Sequence, residues 1–293
     1  MMSAFREERI DLGESEIYLR RGGSGPSLLL LHGYPQTHLM WHRIAPVLAE
    51  YFTLVMPDLR GYGQSRGPRP DPEHLGYSKR VMGEDMLAVM ERLGFERFRL
   101  AGHDRGARVG YRLCLDHPDR IERLAVLDIL PTLEVWEAMD AEAALATYHW
   151  PFLAVPAPLP EHLIGGDPDF YIRHLLARWA GQGEALSQEA IEAYITQFRD
   201  PEVVAATCED YRAGAGVDRA HDEADRAAGR KITCPLLALW GRDYLGHGRQ
   251  DPLEVWRRWA EQVTGEMLDC GHFLAEEAPE KTAAALRSFF AEF

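Results

Sequence analysis

Five residues, Gly102-His103-Asp104-Arg105-Gly106, set a carboxylate between two glycines where an apolar, strand-like segment gives way to a helical one. A sharp strand-to-helix turn needs small flanking residues and lifts its central side chain clear of the sheet, a frame usually written G-x-S-x-G with serine as nucleophile. Aspartate in that position changes the chemistry. A carboxylate displaces a leaving group from a saturated carbon and leaves an ester, which a base-activated water then hydrolyses. The turn alone is a weak signal, because an acidic residue also caps helix N-termini. It gains strength from His272, in Asp269-Cys270-Gly271-His272-Phe273 just before the closing helix, which gives the order nucleophile, acid, histidine.

Two acids are candidates to orient that histidine. Asp128 ends the apolar run after the turn, in Val126-Leu127-Asp128-Ile129-Leu130-Pro131, and Asp243 follows the next, in Trp240-Gly241-Arg242-Asp243. The residues alone leave these two nearly even. His32-Gly33-Tyr34-Pro35 follows an earlier apolar run, where a second backbone donor is expected. The N–H groups of Tyr34 and Arg105 would bind the oxyanion formed when the ester is attacked; Gly33 and Pro35 also fit simple turn chemistry.

Arg105 and Arg108 stand three apart on one helical face, in the first turn after Asp104. The helix dipole disfavours cations there by a few tenths of a kcal/mol, about that much each, so two together imply an anion nearby. Asp104 or a structural carboxylate is one such anion. A substrate carboxylate is the other, since guanidinium forks match carboxylates bidentately.

The elements that must position these groups are short buried strands alternating with helices. Leu28 to Leu31, Phe52 to Met56, Phe98 to Gly102, Leu124 to Leu127 and Leu236 to Trp240 read as strands. Trp41 to Glu50, Ser78 to Leu93, Ala107 to Leu115 and Thr282 to Phe293 read as helices, the second with a serine N-cap. The pattern predicts an α/β fold with a parallel sheet covered on both faces. Strand signals vanish between Pro131 and Gly216, where helical pieces (134–150, 169–179, 187–198) flank a proline-rich loop over 151–160. The expected organisation is a core domain of residues 1–130 and 217–293 with a helical cap, 131–216, inserted into it.

Composition narrows the partners. A chain of 293 residues with net charge −14 is a poor match for nucleic acid or an anionic membrane, and an acidic substrate must be caught by local cations. Its four cysteines form no C-x-x-C pair and read as thiols of a reducing compartment. The polar start and the lack of any apolar run near the ~18 residues of a membrane span lead to the expectation of a cytoplasmic protein. No cofactor or metal is expected: His38 and His42 belong to no H-E-x-x-H motif, Gly22-Gly23-Ser24-Gly25 precedes a strand, and no Walker sequence occurs.

Together these motifs resemble the fluoroacetate (haloacetate) dehalogenases of the α/β-hydrolase fold. The resemblance spans essentially the whole chain, through His32-Gly33-Tyr34-Pro35-Gln36-Thr37-His38, Asp58-Leu59-Arg60-Gly61-Tyr62-Gly63 and Gly102-His103-Asp104-Arg105-Gly106-Ala107-Arg108. It continues through Asp128-Ile129-Leu130-Pro131, His149-Trp150, Tyr211 and Gly271-His272-Phe273. It implies a mostly parallel eight-stranded sheet flanked by helices, with an inserted helical cap. Asp104 would be the nucleophile, His272 the base and Asp128, in preference to Asp243, its acid partner. Arg105 and Arg108 would hold the substrate carboxylate, and His149, Trp150 and Tyr211 would bind the departing halide; a homodimer is typical. Tyr34 departs from the phenylalanine expected there. The nearest rival is an epoxide hydrolase with the same machinery and cap tyrosines such as Tyr148 and Tyr211, although a neutral epoxide leaves the arginines unexplained. A non-catalytic binding protein of this fold would have no need of His272.

Overall fold

The protein is described by a computed structural model that covers residues 2–181, 183 and 186–291. Eight strands form one sheet: β1 Arg6–Asp11, β2 Glu16–Gly23, β3 Ser27–Leu31, β4 Thr53–Pro57, β5 Phe98–His103, β6 Ile121–Leu127, β7 Leu236–Gly241 and β8 Val263–Leu268. Their order is β1-β2-β4-β3-β5-β6-β7-β8, with β2 antiparallel to both of its neighbours and every other pairing parallel. This is the mostly parallel eight-stranded sheet implied by the resemblance. β3 and β5 are buried along their whole length, as helices on both faces require. The sequence reading missed β1, β2 and β8. β1 and β8 lie at the sheet edges and are largely polar or exposed, so they lack the apolar run that betrays a central strand.

Around the sheet run α1 Ala45–Leu48, α2 Lys79–Arg92 and α3 Arg105–Asp116, and, after β7, α12 Pro252–Trp259, α13 Leu274–Glu277 and α14 Pro279–Ala291. Between β6 and β7 lie α4 Thr132–Glu137, α5 Ala141–Ala146, α6 His149–Ala154, α7 Leu159–Gly166, α8 Pro168–Trp179, α9 Gln188–Phe198, α10 Pro201–Ala215 and α11 Val217–Ala227. Ser78 caps α2 by accepting from the Val81 N–H, as the sequence predicts. Three local expectations need correction. Trp41 to Glu50 is not one helix: a short 3-10 turn, His38–Trp41, precedes α1, whose Pro46 lacks an N–H and fits only the first turn. Residues 134–150 break into three helices because the Asp140 side chain accepts from the Ala143 N–H and starts α5 afresh. The proline-rich loop is shorter than 151–160: only 155–158 join α6 to α7, since Pro151 sits in the first turn of α6 and Pro160 in that of α7. The closing helix starts at Pro279, and the last two residues of the predicted helix, Glu292 and Phe293, lie outside the described residues.

The register of the central strands decides where chemistry can occur. Leu31 pairs with Gly102, His103 with Leu127, and Leu127 with Leu239, so β3, β5, β6 and β7 end level with one another. Whatever follows each strand emerges at the same rim: the Gly33-Tyr34 loop, Asp104, Asp128 and the Gly241-to-Asp243 loop. Parallel α/β sheets carry their sites at this carboxyl edge.

Candidate active site

Asp104 adopts φ 43° and ψ −114°, a left-handed backbone that a non-glycine residue holds only when its surroundings force it. Those surroundings are tight. A Cβ on Gly106 would come within 2.4 Å of the His32 carbonyl oxygen, and one on Gly33 within 2.4 Å of the Asp104 Cβ. The two glycines let β3 and its loop close onto the turn. Tyr34 then donates its backbone N–H to Asp104 Oδ1 at 2.9 Å. Burial pushes the Asp104 carboxyl up, but His272, Arg105 and Arg108 outweigh it and hold the group below the usual carboxylate range. It is a buried carboxylate with one oxygen tethered.

His272 packs at the same rim. Its Nδ1 lies 2.5 Å from Asp128 Oδ2, while Asp128 Oδ1 accepts from the Gly241 N–H at 2.9 Å. Asp128 also has a left-handed backbone, φ 56°, which turns its side chain back over the sheet edge. Burial raises its pKa despite the imidazole beside it. Of the two candidate acids, Asp128 is therefore the one whose carboxylate meets His272; Asp243 is fixed through its backbone N–H to the Cys270 carbonyl at 3.0 Å. The His272 carbonyl accepts from His103 Nε2 at 2.8 Å, and its backbone N–H donates to the Trp179 carbonyl at 2.9 Å. Burial drives the His103 pKa down to about 3, so its ring is a neutral prop.

The two arginines differ. Arg105 donates Nε to Asp210 Oδ2 at 3.0 Å and Nη2 to Asp210 Oδ1 at 2.6 Å, which leaves Nη1 buried without a partner. A structural carboxylate thus accounts for most of Arg105. Arg108 donates Nη1 to the Leu130 carbonyl at 2.9 Å and to Thr132 Oγ1 at 3.2 Å, and its Nε is buried without a partner. Burial, then Arg105, push the Arg108 pKa down; Arg105 is driven the other way, because Asp210 outweighs its burial.

The inserted helices cover these groups. Trp150 and His149 from α6 and Tyr211 from α10 lie edge-on to one another, with Tyr211 5.8 Å from His149 and 6.0 Å from Trp150. The guanidinium of Arg108 sits 4.5 Å from the Trp150 ring and that of Arg105 4.2 Å from the Tyr211 ring. Burial drives the His149 pKa down to about 3, and its Nδ1 has no partner. Tyr148, considered with Tyr211 as an epoxide donor, lies edge-on to His149 at 6.3 Å and near His174 at 6.4 Å. The Tyr34 ring meets Tyr211 edge-on at 5.3 Å, and its hydroxyl faces Tyr171 without a well-formed hydrogen bond. The departure from phenylalanine therefore adds a hydroxyl on the side of the ring toward Tyr171. His38 Nδ1 and its backbone N–H both meet Asp58 Oδ1.

Sequence reasoning missed four residues of this site. Trp179 stacks 4.5 Å from His149, Tyr244 lies 4.4 Å from His272, and Asp210 and Lys79 form a buried ion pair behind Arg105. Asp210, one residue before Tyr211 on a buried helix, was the visible signal. A groove of about 540 Å³ opens between α4, α5 and the loop after β7, and Trp179 and Tyr244 form its inner wall. Both side chains also pack against His272.

The chain matches the family model described as alpha/beta hydrolase fold over residues 26–279. It is 44% identical over 293 residues to a fluoroacetate dehalogenase from Burkholderia sp, covering 100% of this chain and 96% of that one. It is 33% identical to a soluble epoxide hydrolase from Corynebacterium sp. (strain C12), over 92% of this chain and 91% of that one. Among solved structures, an alpha/beta hydrolase from Nostoc sp PCC 7120 superposes with a TM-score of 0.97 at 50% identity, covering 100% of both chains.

Proposed function

With the chain belonging to the alpha/beta-hydrolase family, we propose that it is a hydrolase acting on carbon–halide bonds, taking haloacetates such as fluoroacetate to glycolate and halide. One observation carries the reading. Arg105 Nη1 and Arg108 Nε are buried cationic donors without hydrogen-bond partners, in the first helical turn after Asp104. An unpaired buried guanidinium nitrogen is costly, and a small carboxylate satisfies two at once. A neutral haloalkane or small epoxide has no second strong acceptor with which to satisfy both.

Asp104 attacks through Oδ2, the oxygen that Tyr34 does not hold, at the carbon bearing the halogen. A C–O bond forms, the C–X bond breaks, and the halide leaves with the bonding pair toward His149, Trp150 and Tyr211. Fluoride is a strongly hydrated leaving group, and imidazole, indole and phenol donors replace its water. His272, with Nδ1–H held by Asp128, takes a proton from water at Nε2. The resulting hydroxide adds to the Asp104 ester carbonyl, whose oxygen is the Oδ1 already facing the Tyr34 N–H, with the Arg105 N–H as the second donor. Collapse expels the glycolate oxygen, which takes back the proton held at His272 Nε2, and the new carboxylic acid loses its proton to restore the Asp104 carboxylate. The helices from 131 to 216 act as a cap that keeps bulk water from the ester, in a protein we take to be a cytoplasmic homodimer. Light scattering and cell fractionation test those last two points.

Epoxide opening is the second reading, favoured by the 33% identity to the Corynebacterium enzyme and by Tyr211 above Asp104. Halide release from fluoroacetate and chloroacetate, assayed beside hydrolysis of a small epoxide, separates the two. A single turnover in heavy-oxygen water places label in Asp104 if the ester forms; label found only in glycolate refutes it.

A further inference from the structure

The geometry points to Asp210 as the positioning residue of the carboxylate clamp: it holds the Arg105 guanidinium so that Nη1 alone faces the substrate, and it cancels that side chain's net charge. The inference rests on the haloacetate reading above. Asp210 is fully buried on α10, next to Tyr211 in sequence. Its Oδ2 accepts from Arg105 Nε and, at 2.6 Å, from the Tyr62 hydroxyl; its Oδ1 accepts from Arg105 Nη2 and from Lys79 Nζ. Its backbone carbonyl accepts from Arg105 Nη2 as well, at 2.9 Å. Arginine has five N–H donors. Three are spent on this one residue, and the two that remain are both on Nη1.

The charges divide in the same way. Lys79 also pairs with Asp218 at 3.1 Å, so Arg105 and Lys79 are balanced by Asp210 and Asp218. Arg108 hydrogen-bonds only neutral acceptors among the described residues, Leu130 O and Thr132 Oγ1. Arg108 therefore brings the attraction for a carboxylate, and Arg105 the direction. A guanidinium freed from Asp210 has other anions to meet, above all Asp104, which would blunt the nucleophile and misplace the substrate. Because Asp210 belongs to an inserted helix while Arg105, Lys79 and Tyr62 belong to the sheet domain, the same contact makes correct seating of those helices a condition for substrate binding.

The test is a double-mutant cycle on the full-length enzyme, with acetate and acetamide as probes of binding and chloroacetate as substrate. Asp210→Asn should weaken acetate binding about a hundredfold, the order expected for a misplaced positioning group, and leave acetamide within about threefold. The loss for chloroacetate should fall mainly on KM, and Asp210→Glu should recover part of it. In an Arg105→Met background, Asp210→Asn should change acetate affinity by less than about threefold. Equal losses for acetate and acetamide, or an undiminished effect of Asp210→Asn without Arg105, would overturn the assignment. If Asp210→Asn does not fold alone, R105M against R105M/D210N decides, since that pair removes both charges together. If the wild type frees no halide from any haloacetate, the proposed reaction fails, yet the acetate cycle still tests the link between Asp210 and Arg105.

Discussion

The sheet rim and the ceiling laid over it treat their polar atoms in opposite ways. At the rim the chemistry-bearing groups are tied down: Asp104 Oδ1 to the Tyr34 N–H, Asp128 to the Gly241 N–H, His272 Nδ1 to Asp128. Beneath and within the ceiling, Arg105 Nη1, Arg108 Nε and His149 Nδ1 are buried and unpaired. Groups that must react in a fixed geometry are preorganised by their neighbours. On the haloacetate reading proposed above, the groups that receive the ligand are left incomplete, a pattern that fits a small anion with a carboxylate at one end and a hydrogen-bond acceptor at the other.

The largest effect should come from the rim. Asp104→Ala removes the attacking oxygen and should lower halide release from chloroacetate by about 10⁴-fold or more, the scale seen for lost nucleophiles; residual turnover within a hundredfold of wild type would break the comparison. Close behind, His272→Asn should release one equivalent of halide and then stall, and intact-protein mass spectrometry should find the glycolyl ester on Asp104. Continued turnover would mean that water is activated elsewhere. Asp128→Asn should cost about 10²- to 10⁴-fold in kcat, whereas Asp243→Asn should stay within about threefold, a contrast that steady-state kinetics reads directly.

The ceiling should respond more gently and mainly through binding. Arg108→Lys keeps the charge but loses the planar fork, and should raise KM for haloacetates about ten- to a hundredfold with a smaller change in kcat. The smallest effect lies behind the rim. Glu276 is buried against Gln36 at 2.5 Å and the Tyr194 hydroxyl at 3.1 Å, and burial pushes its pKa up to about 8. The folded chain then binds this proton more tightly than the unfolded chain does, so stability falls as pH rises from about 4.5 to about 8 and levels off beyond. Glu276→Gln should flatten that slope and gain a few degrees in Tm, about 2–4 °C per kcal/mol, at pH 9 relative to the wild type. Differential scanning fluorimetry across pH checks it, and an unchanged slope would move the linkage to other buried acids such as Asp222, whose pKa burial raises to about 7.

Much of this was legible in the chain. Asp104 between Gly102 and Gly106, the apolar runs of β3, β5 and β7, and the paired Arg105 and Arg108 are local patterns, and local patterns survive translation into sequence periodicity. The edge strands and the breaks at Asp140 were not legible. An edge strand carries little apolar signal, and a helix start depends on one capping hydrogen bond. The set His149, Trp150 and Tyr211, proposed above to meet the halide, came from resemblance to known enzymes, since nothing in spacing alone gathers α6 and α10 over one carboxylate.

The sequence by itself determined that a carboxylate would sit in a sharp turn with two arginines in the helical turn that follows it. Only the tertiary structure decided what each arginine meets. Asp210 is distant along the chain and meets Arg105 solely because α10 folds back onto α3, where a buried carboxylate must find cations and a buried guanidinium must find acceptors. The choice of Asp128 over Asp243 has the same origin. Both follow parallel strands, and only the left-handed backbone at Asp128 turns its carboxylate onto His272.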